Sequence, residues 1–224
     1  MPAWRKQLEQ WAAAIAPHAI DPPELEIKPP ATPQQVDAIE QTLGRPIPAP
    51  LRRFILEESA GINFFWMLPE GTEVIGVDED EEPVMGSIEV DISTPFPRPE
   101  GETFFGNSGE RDAAKVLERW NSAVEIIPVG NGDAVALDLL TDPENPPVVY
   151  MDHETAETHR LAASFDEFIE AWFSLGCVGP ESWILRHFMT DNGEPLPPDT
   201  DGTPTSKIDP NCPSAKAFRD YFGM

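Results

Sequence analysis

The chain has 224 residues, with 40 Asp and Glu against 15 Lys and Arg, and a formal net charge of −25. That charge excludes a protein that grips nucleic-acid phosphates and disfavours an anionic membrane surface, because both would be repelled. The 12 Phe, 6 Trp and 2 Tyr, in a chain that is 40% hydrophobic, supply too many core-formers for a disordered acidic tail. Cys177 and Cys212 are the only cysteines and lie in no CxxC pair, which predicts two reduced, incidental thiols. The opening MPAWRKQLEQWAAAIAP lacks the apolar core of a secretory signal, and no stretch reaches the ~18 apolar residues of a membrane span. A soluble, cytoplasmic protein is expected.

In chain order, Trp4, Leu8, Trp11 and Ile15 predict a first helix over Trp4–Ile15. Pro17 ends it, and Pro22, Pro23, Pro29 and Pro30 read as an extended linker. Thr32, Pro33 and Gln35 form a capping box for a second helix that buries Val36, Ile39 and Leu43 and stops at Gly44. A third helix follows Pro50, with Gly61 as its terminator. Short extended runs come next at Ile62–Leu68, Val74–Val77, Val84–Met85 and Ile88–Ile92. The first of these is so apolar that a strand covered on both faces is expected; a contact patch is the alternative. Residues 109–121 read as helix, and Glu125–Val129, Ala134–Leu139 and Val148–Met151 as strands. Asn131-Gly132 marks a tight primed turn. Ser164 and Glu167 form a second capping box, opening a helix with Phe165, Phe168, Ile169, Trp172 and Phe173 inward. Another helix is expected over 180–189. Residues 190–213 hold six prolines, and a last helix over Ser214–Phe222 would dock through Phe218, Tyr221 and Phe222. Helices, then a strand meander, then helices predict an α+β fold with a mainly antiparallel sheet flanked by helices.

Four weak motifs recur in a fixed order: ATPQQVDAIEQTLGRPIPAPLRRFILEESAG (Ala31–Gly61), IIPVGNGDAVALDLL (Ile126–Leu140), PPVVYMDHE (Pro146–Glu154) and LAASFDEFIEAWF (Leu161–Phe173). Together they resemble the SUKH superfamily, the SMI1/KNR4 family, over roughly residues 25–175. The prolines and acids of 78–102 and the extension beyond 176 depart from its pattern. Three parts are expected: an N-terminal helix and linker (1–24), the SUKH-like α+β domain (25–176), and a C-terminal helical, proline-rich extension packed on the same domain (177–224). The resemblance implies a bacterial immunity protein that neutralises a cognate polymorphic toxin, with a scaffold or regulatory adaptor as the alternative. The family supplies no catalytic residues, and its recurring Asp138, Asp152, His153 and Ser164 read equally as turn and cap chemistry or as contacts.

The residues themselves show no GxGxxG, Walker loop, GxSxG or HExxH, so no enzyme, cofactor or metal is expected. His153, Glu154 and His159 in DHETAETHR read as a surface turn, since a spacing of six does not place two histidines on one helix face. A nucleophile pair of Cys177 with His187 is not expected, nor is a calcium loop at Asp78–Glu82, which lacks the glycine turn and ligand spacing. The informative feature is the placement of charge: residues 70–102 hold 11 acids and one base, and residues 131–170 hold 10 acids and one base. The expected contact residues for a basic toxin, with a nuclease as one candidate chemistry, are Asp78, Glu79, Asp80, Glu81 and Glu82, with Asp138, Asp152 and Glu154. Solvated acids without a partner are the alternative.

Overall fold

The computed structural model describes residues 3–74, 83–92, 117–155, 157–190 and 206–224. The acidic run Asp78–Glu82, the strand expected beyond Val74 and the first part of the helix expected over 109–121 lie outside the described residues. The fold is α+β, with two antiparallel sheets flanked by helices. Among the described residues no helix is long and apolar enough to cross a membrane.

Helix α1 (Ala3–Ile15) buries Leu8, Trp11 and Ile15 on the face that their spacing predicts. The proline-flanked segment behind it is more than a linker. Glu24–Ile27 form strand β1, paired antiparallel with β2 (Gly61–Met67) in the register Glu24↔Phe65 to Ile27↔Ile62. Prolines on both sides confine β1 to four residues and suit an edge strand. Helix α2 (Pro33–Leu43) has the expected capping box. Thr32 Oγ1 accepts from Gln35 N–H at 3.3 Å, Gln35 Oε1 accepts from Thr32 N–H at 2.9 Å, and Gly44 closes the helix at φ 66°. Helix α3 (Ala49–Glu57) ends before Gly61, which opens β2 instead of terminating the helix. A Cβ at Gly61 would lie 2.8 Å from the Val90 carbonyl oxygen, so close strand approach explains that glycine.

The expectation that Ile62–Leu68 is covered on both faces is corrected. Ile62, Phe64 and Trp66 point into the core while Asn63 and Phe65 are exposed, the ordinary alternation of a half-covered strand. The two runs expected around 84–92 are one strand, β3 (Met85–Asp91), pairing Trp66 with Gly86. The Trp66 indole lies over Gly86, where a Cβ would meet the ring at 2.3 Å, and its Nε1–H donates to the Gly176 carbonyl at 2.8 Å. The outer edge of β3 is closed by the 177–179 loop, with Ser87 N–H donating to the Gly179 carbonyl at 2.8 Å and Gly179 N–H to the Met85 carbonyl at 2.9 Å.

The second sheet runs β4 (Val124–Pro128), β5 (Ala134–Leu137), β6 (Val148–Met151) and β7 (Thr158–Ala162), each antiparallel to its neighbour. The β4–β5 connection is not the expected two-residue primed turn. Gly132 N–H donates to the Val129 carbonyl at 3.0 Å, and only Gly132 of the loop takes positive φ (99°), which is a turn over Val129–Gly132 whose last residue alone has positive φ. Strand β7 replaces the surface turn read through His159. The described part of helix α4, residues 117–122, covers one face of this sheet, burying Trp120 with Ala123, Ala136, Val149 and Met151. The other face joins the main core, so β5 and β6 are buried throughout.

Helix α5 (Phe165–Phe173) is capped by Ser164, whose Oγ accepts from Glu167 N–H at 3.2 Å. The second half of the expected box is shifted by one residue, because Glu167 Oε2 accepts from Ala163 N–H at 3.0 Å. The helix expected over 180–189 is the short α6 (Ser182–Leu185) and a 3₁₀ turn (Arg186–Phe188). Helix α7 (Pro213–Phe222) is capped by Cys212, with Sγ 3.3 Å from Ala215 N. Phe218 is fully buried, with ring centroids 5.4 Å from Trp11, 6.0 Å from Trp66 and 5.5 Å from Phe188. Tyr221, expected as a third anchor, is 39% exposed and lies against His18 instead.

Candidate functional site

The four-stranded sheet ends at a polar loop cluster built on one carboxylate. Asp133 follows the Val129–Gly132 turn and is 5% exposed. Its Oδ1 accepts from His153 N–H at 2.8 Å and from His153 Nδ1 at 2.6 Å. Its Oδ2 accepts from Asn131 Nδ2 at 2.8 Å and from the Tyr150 hydroxyl. Burial pushes the Asp133 carboxyl up, but the hydrogen bonds from Tyr150, His153 and Asn131 outweigh it and hold the carboxyl below its ordinary value. Burial and then the Asp133 carboxylate raise the Tyr150 phenol far above its usual range, so it stays a donor. Ligand atoms of Asp133, Asp152 and His153 lie within 4.8 Å of one another, a spacing that a metal ion could span. The two Asp133 oxygens already accept four hydrogen bonds, the full capacity of a carboxylate. The cluster therefore works as a clamp between the β4–β5 loop and the end of β6.

That clamp sorts the residues expected from the sequence. Asp152 is half-buried, and its Oδ1 accepts from Glu154 N–H at 2.8 Å and Thr155 N–H at 2.9 Å, folding the turn that presents the exposed Glu154. Asp138 is corrected as a contact residue. It is fully buried, accepts from Leu140 N–H at 3.1 Å and Thr141 Oγ1 at 2.7 Å, and pairs with Arg119 Nε at 3.3 Å. A covered carboxylate presents nothing to a partner. Asp78, Glu79, Asp80, Glu81 and Glu82 lie outside the described residues. His159 sits in β7 beside Glu157, with Nε2 3.5 Å from Oε2.

A surface the sequence reading missed is the outer face of the first sheet. Directly paired residues in an antiparallel sheet share a face. The register therefore sets Glu24, Phe65 and Ser87 in one row and Glu26, Asn63 and Glu89 in the next. Glu24, Glu26, Asn63, Phe65 and Glu89 are exposed. Lys28 and Asp91 close one end with an ion pair at 2.5 Å. The period-two placement of Glu24 and Glu26, and of Asn63 and Phe65, was the available signal. It was hidden by the proline flanks in one case and by the apolar content in the other.

The sequence model of the SMI1 / KNR4 family (SUKH-1) matches residues 30–171. The chain belongs to this family. The match spans α2 through most of α5, and so includes both sheets except β1, the Asp133 clamp, and the β2 and β3 rows of the open face. No curated protein matches the chain.

Proposed function

We propose that this SUKH protein is a non-enzymatic binding protein of the cytoplasm, an immunity protein that neutralises a basic cognate toxin by covering it. The observation that carries this reading is the open sheet face, where Glu24, Glu26 and Glu89 surround Phe65. An aromatic anchor ringed by carboxylates suits a partner with a basic, partly apolar surface. Family membership and the net charge of −25 point the same way. Three strands about 4.8 Å apart, one of four residues and two of seven, offer only a few hundred Å². A stable complex needs about 800 Å² per partner, so on this reading the contact extends beyond the face, and the Asp78–Glu82 run just ahead of β3 joins it.

The test is co-expression with a toxin encoded beside this protein, followed by association kinetics at ~0.1 M and ~1 M salt, where the screening length falls from ~10 Å to ~3 Å. The triple variant Glu24→Lys, Glu26→Lys, Glu89→Lys is expected to lose protection and most of its on-rate without a change in melting. Full protection with an unchanged on-rate refutes the role of this face. Binding that ignores salt but is lost in Phe65→Ala would favour the adaptor reading.

A further inference from the structure

Helices α1, α3 and α5 enclose a trough of about 660 Å³, within the size range of ligand sites and separate from the open sheet face. Its floor is apolar, made by Trp4, Phe54 and the buried Ile169. The Trp4 and Phe54 rings lie 5.6 Å apart, and Trp4 packs on Phe173 at 5.4 Å. Its rim is acidic, with Glu57, Glu58, Asp166 and Glu170 against Arg53. Arg53 is held by an ion pair to Asp166. Glu58 accepts from the Trp4 indole at 3.1 Å. Glu57 and Glu170 stand exposed at the rim, outside the ion pairs of the described residues.

We propose that this trough binds an arginine or lysine side chain carried on an apolar segment of another protein. The argument is charge complementarity joined to shape. A flexible basic side chain lays its methylenes along an apolar floor and keeps its charge at a polar edge. Trp is the best aromatic surface for a cation, and carboxylates are the strongest acceptors for a guanidinium. The Trp4 ring already accepts one guanidinium: the Arg5 Cζ lies 5.1 Å from its centroid. Arg5 is itself fixed by the Glu58 carbonyl at 2.5 Å and the Lys28 carbonyl at 3.3 Å. Even with Arg5 counted, the acids outnumber the bases.

The probe is the acetylated Leu-Arg-Leu-Arg-Leu amide, titrated into the full chain and followed by the Trp4 indole N–H resonance. Its citrulline counterpart keeps the shape and removes the charge. The peptide is expected to shift the Trp4 signal, and E57Q/E170Q is expected to weaken binding at least about fivefold, as two exposed ion pairs of ordinary strength would. E24Q/E26Q removes the same charge from the sheet face and is expected to leave the affinity within about twofold. Equal weakening by both pairs would reduce the effect to diffuse charge and overturn the proposal. So would a citrulline peptide that binds as well, or no shift of Trp4 at ~1 mM peptide. The readouts are independent: failure of the sheet-face variants in the toxin assay leaves this titration untouched, and the reverse also holds.

Discussion

Phe218→Ala is the sharpest test of how the C-terminal segment belongs to the fold. Phe218 has no exposed surface and sits in an aromatic cluster with Trp11, Trp66, Phe188 and Phe222, the last at 5.0 Å. Truncating a buried Phe to Ala costs about 3–5 kcal/mol, through lost transfer energy and the cavity left behind. Edge-to-face contacts with Phe188 and Phe222 add to the upper part of that range. Against a total stability of about 5–15 kcal/mol, this is at least about a fifth of the margin. A urea melt should show its midpoint lowered by about 1–2 M with an unchanged slope. Tyr221→Ala, one residue before Phe222 but on the exposed side, should cost less than about 1 kcal/mol. A Phe218→Ala loss below about 1 kcal/mol would mean that α7 is not docked on Trp11 and Trp66. The proline-rich composition of residues 190–213 reads as a surface extension outside the α+β domain. The burial of Ile208, Phe218 and Phe222 reverses that expectation, and a chain ending at Met189 should not fold cooperatively.

Gly86→Ala places a methyl 2.3 Å from the Trp66 indole, which is itself buried and tied to Gly176, so a loss of at least about 2 kcal/mol is expected in thermal or urea melts; a neutral result would show that Trp66 does not cross β3 there. Asp133→Asn tests the clamp through pH. The folded carboxyl lies below its ordinary value of 3.8, so its stabilisation is present above about pH 4 and is lost as pH falls through the folded value. Melts from pH 7 to pH 2.5 should therefore show the gap between wild type and variant closing below about pH 4, and a gap that stays constant refutes the assignment.

What the sequence disclosed depended on how local the cause was. The α2 capping box is set by Thr32, Pro33 and Gln35 within one turn, and it stands in the structure as expected. The inward stripe of α5 follows from spacing alone. Strands β1 and β7 were missed because their residues, Glu-Leu-Glu-Ile and Thr-His-Arg-Leu-Ala, have little strand character. They become strands by pairing with β2 and β6, whose apolar cores are far away in sequence or on the other side of a turn. The same distance hid Asp133. Beside Asn131 and Gly132 it reads as an ordinary turn residue, and its donors Tyr150 and His153 are 17 and 20 positions on. Asp138 misled for the matching reason, since a recurring acid near a strand end looks like a contact until Arg119 and Thr141 are seen to enclose it.

This division assigns the acids two physical roles. Asp133 and Asp138 are buried, and a buried carboxylate is tolerable only when its oxygens are satisfied, so both are held by neighbouring side chains and backbone N–H groups. Removing either should cost folding. Glu24, Glu26, Glu57, Glu89, Glu154 and Glu170 are exposed, and water already solvates them, so their removal should leave stability within about 0.5 kcal/mol. A surplus of exposed acids repels itself and contributes no net folding energy. Its physical consequence lies in the field it projects, which speeds the approach of a basic partner and rejects acidic ones. The acids of the open face of β1, β2 and β3 and of the α1–α3–α5 trough can therefore be changed without disturbing the core beneath them, and it is at those two places that binding and stability should separate in mutants.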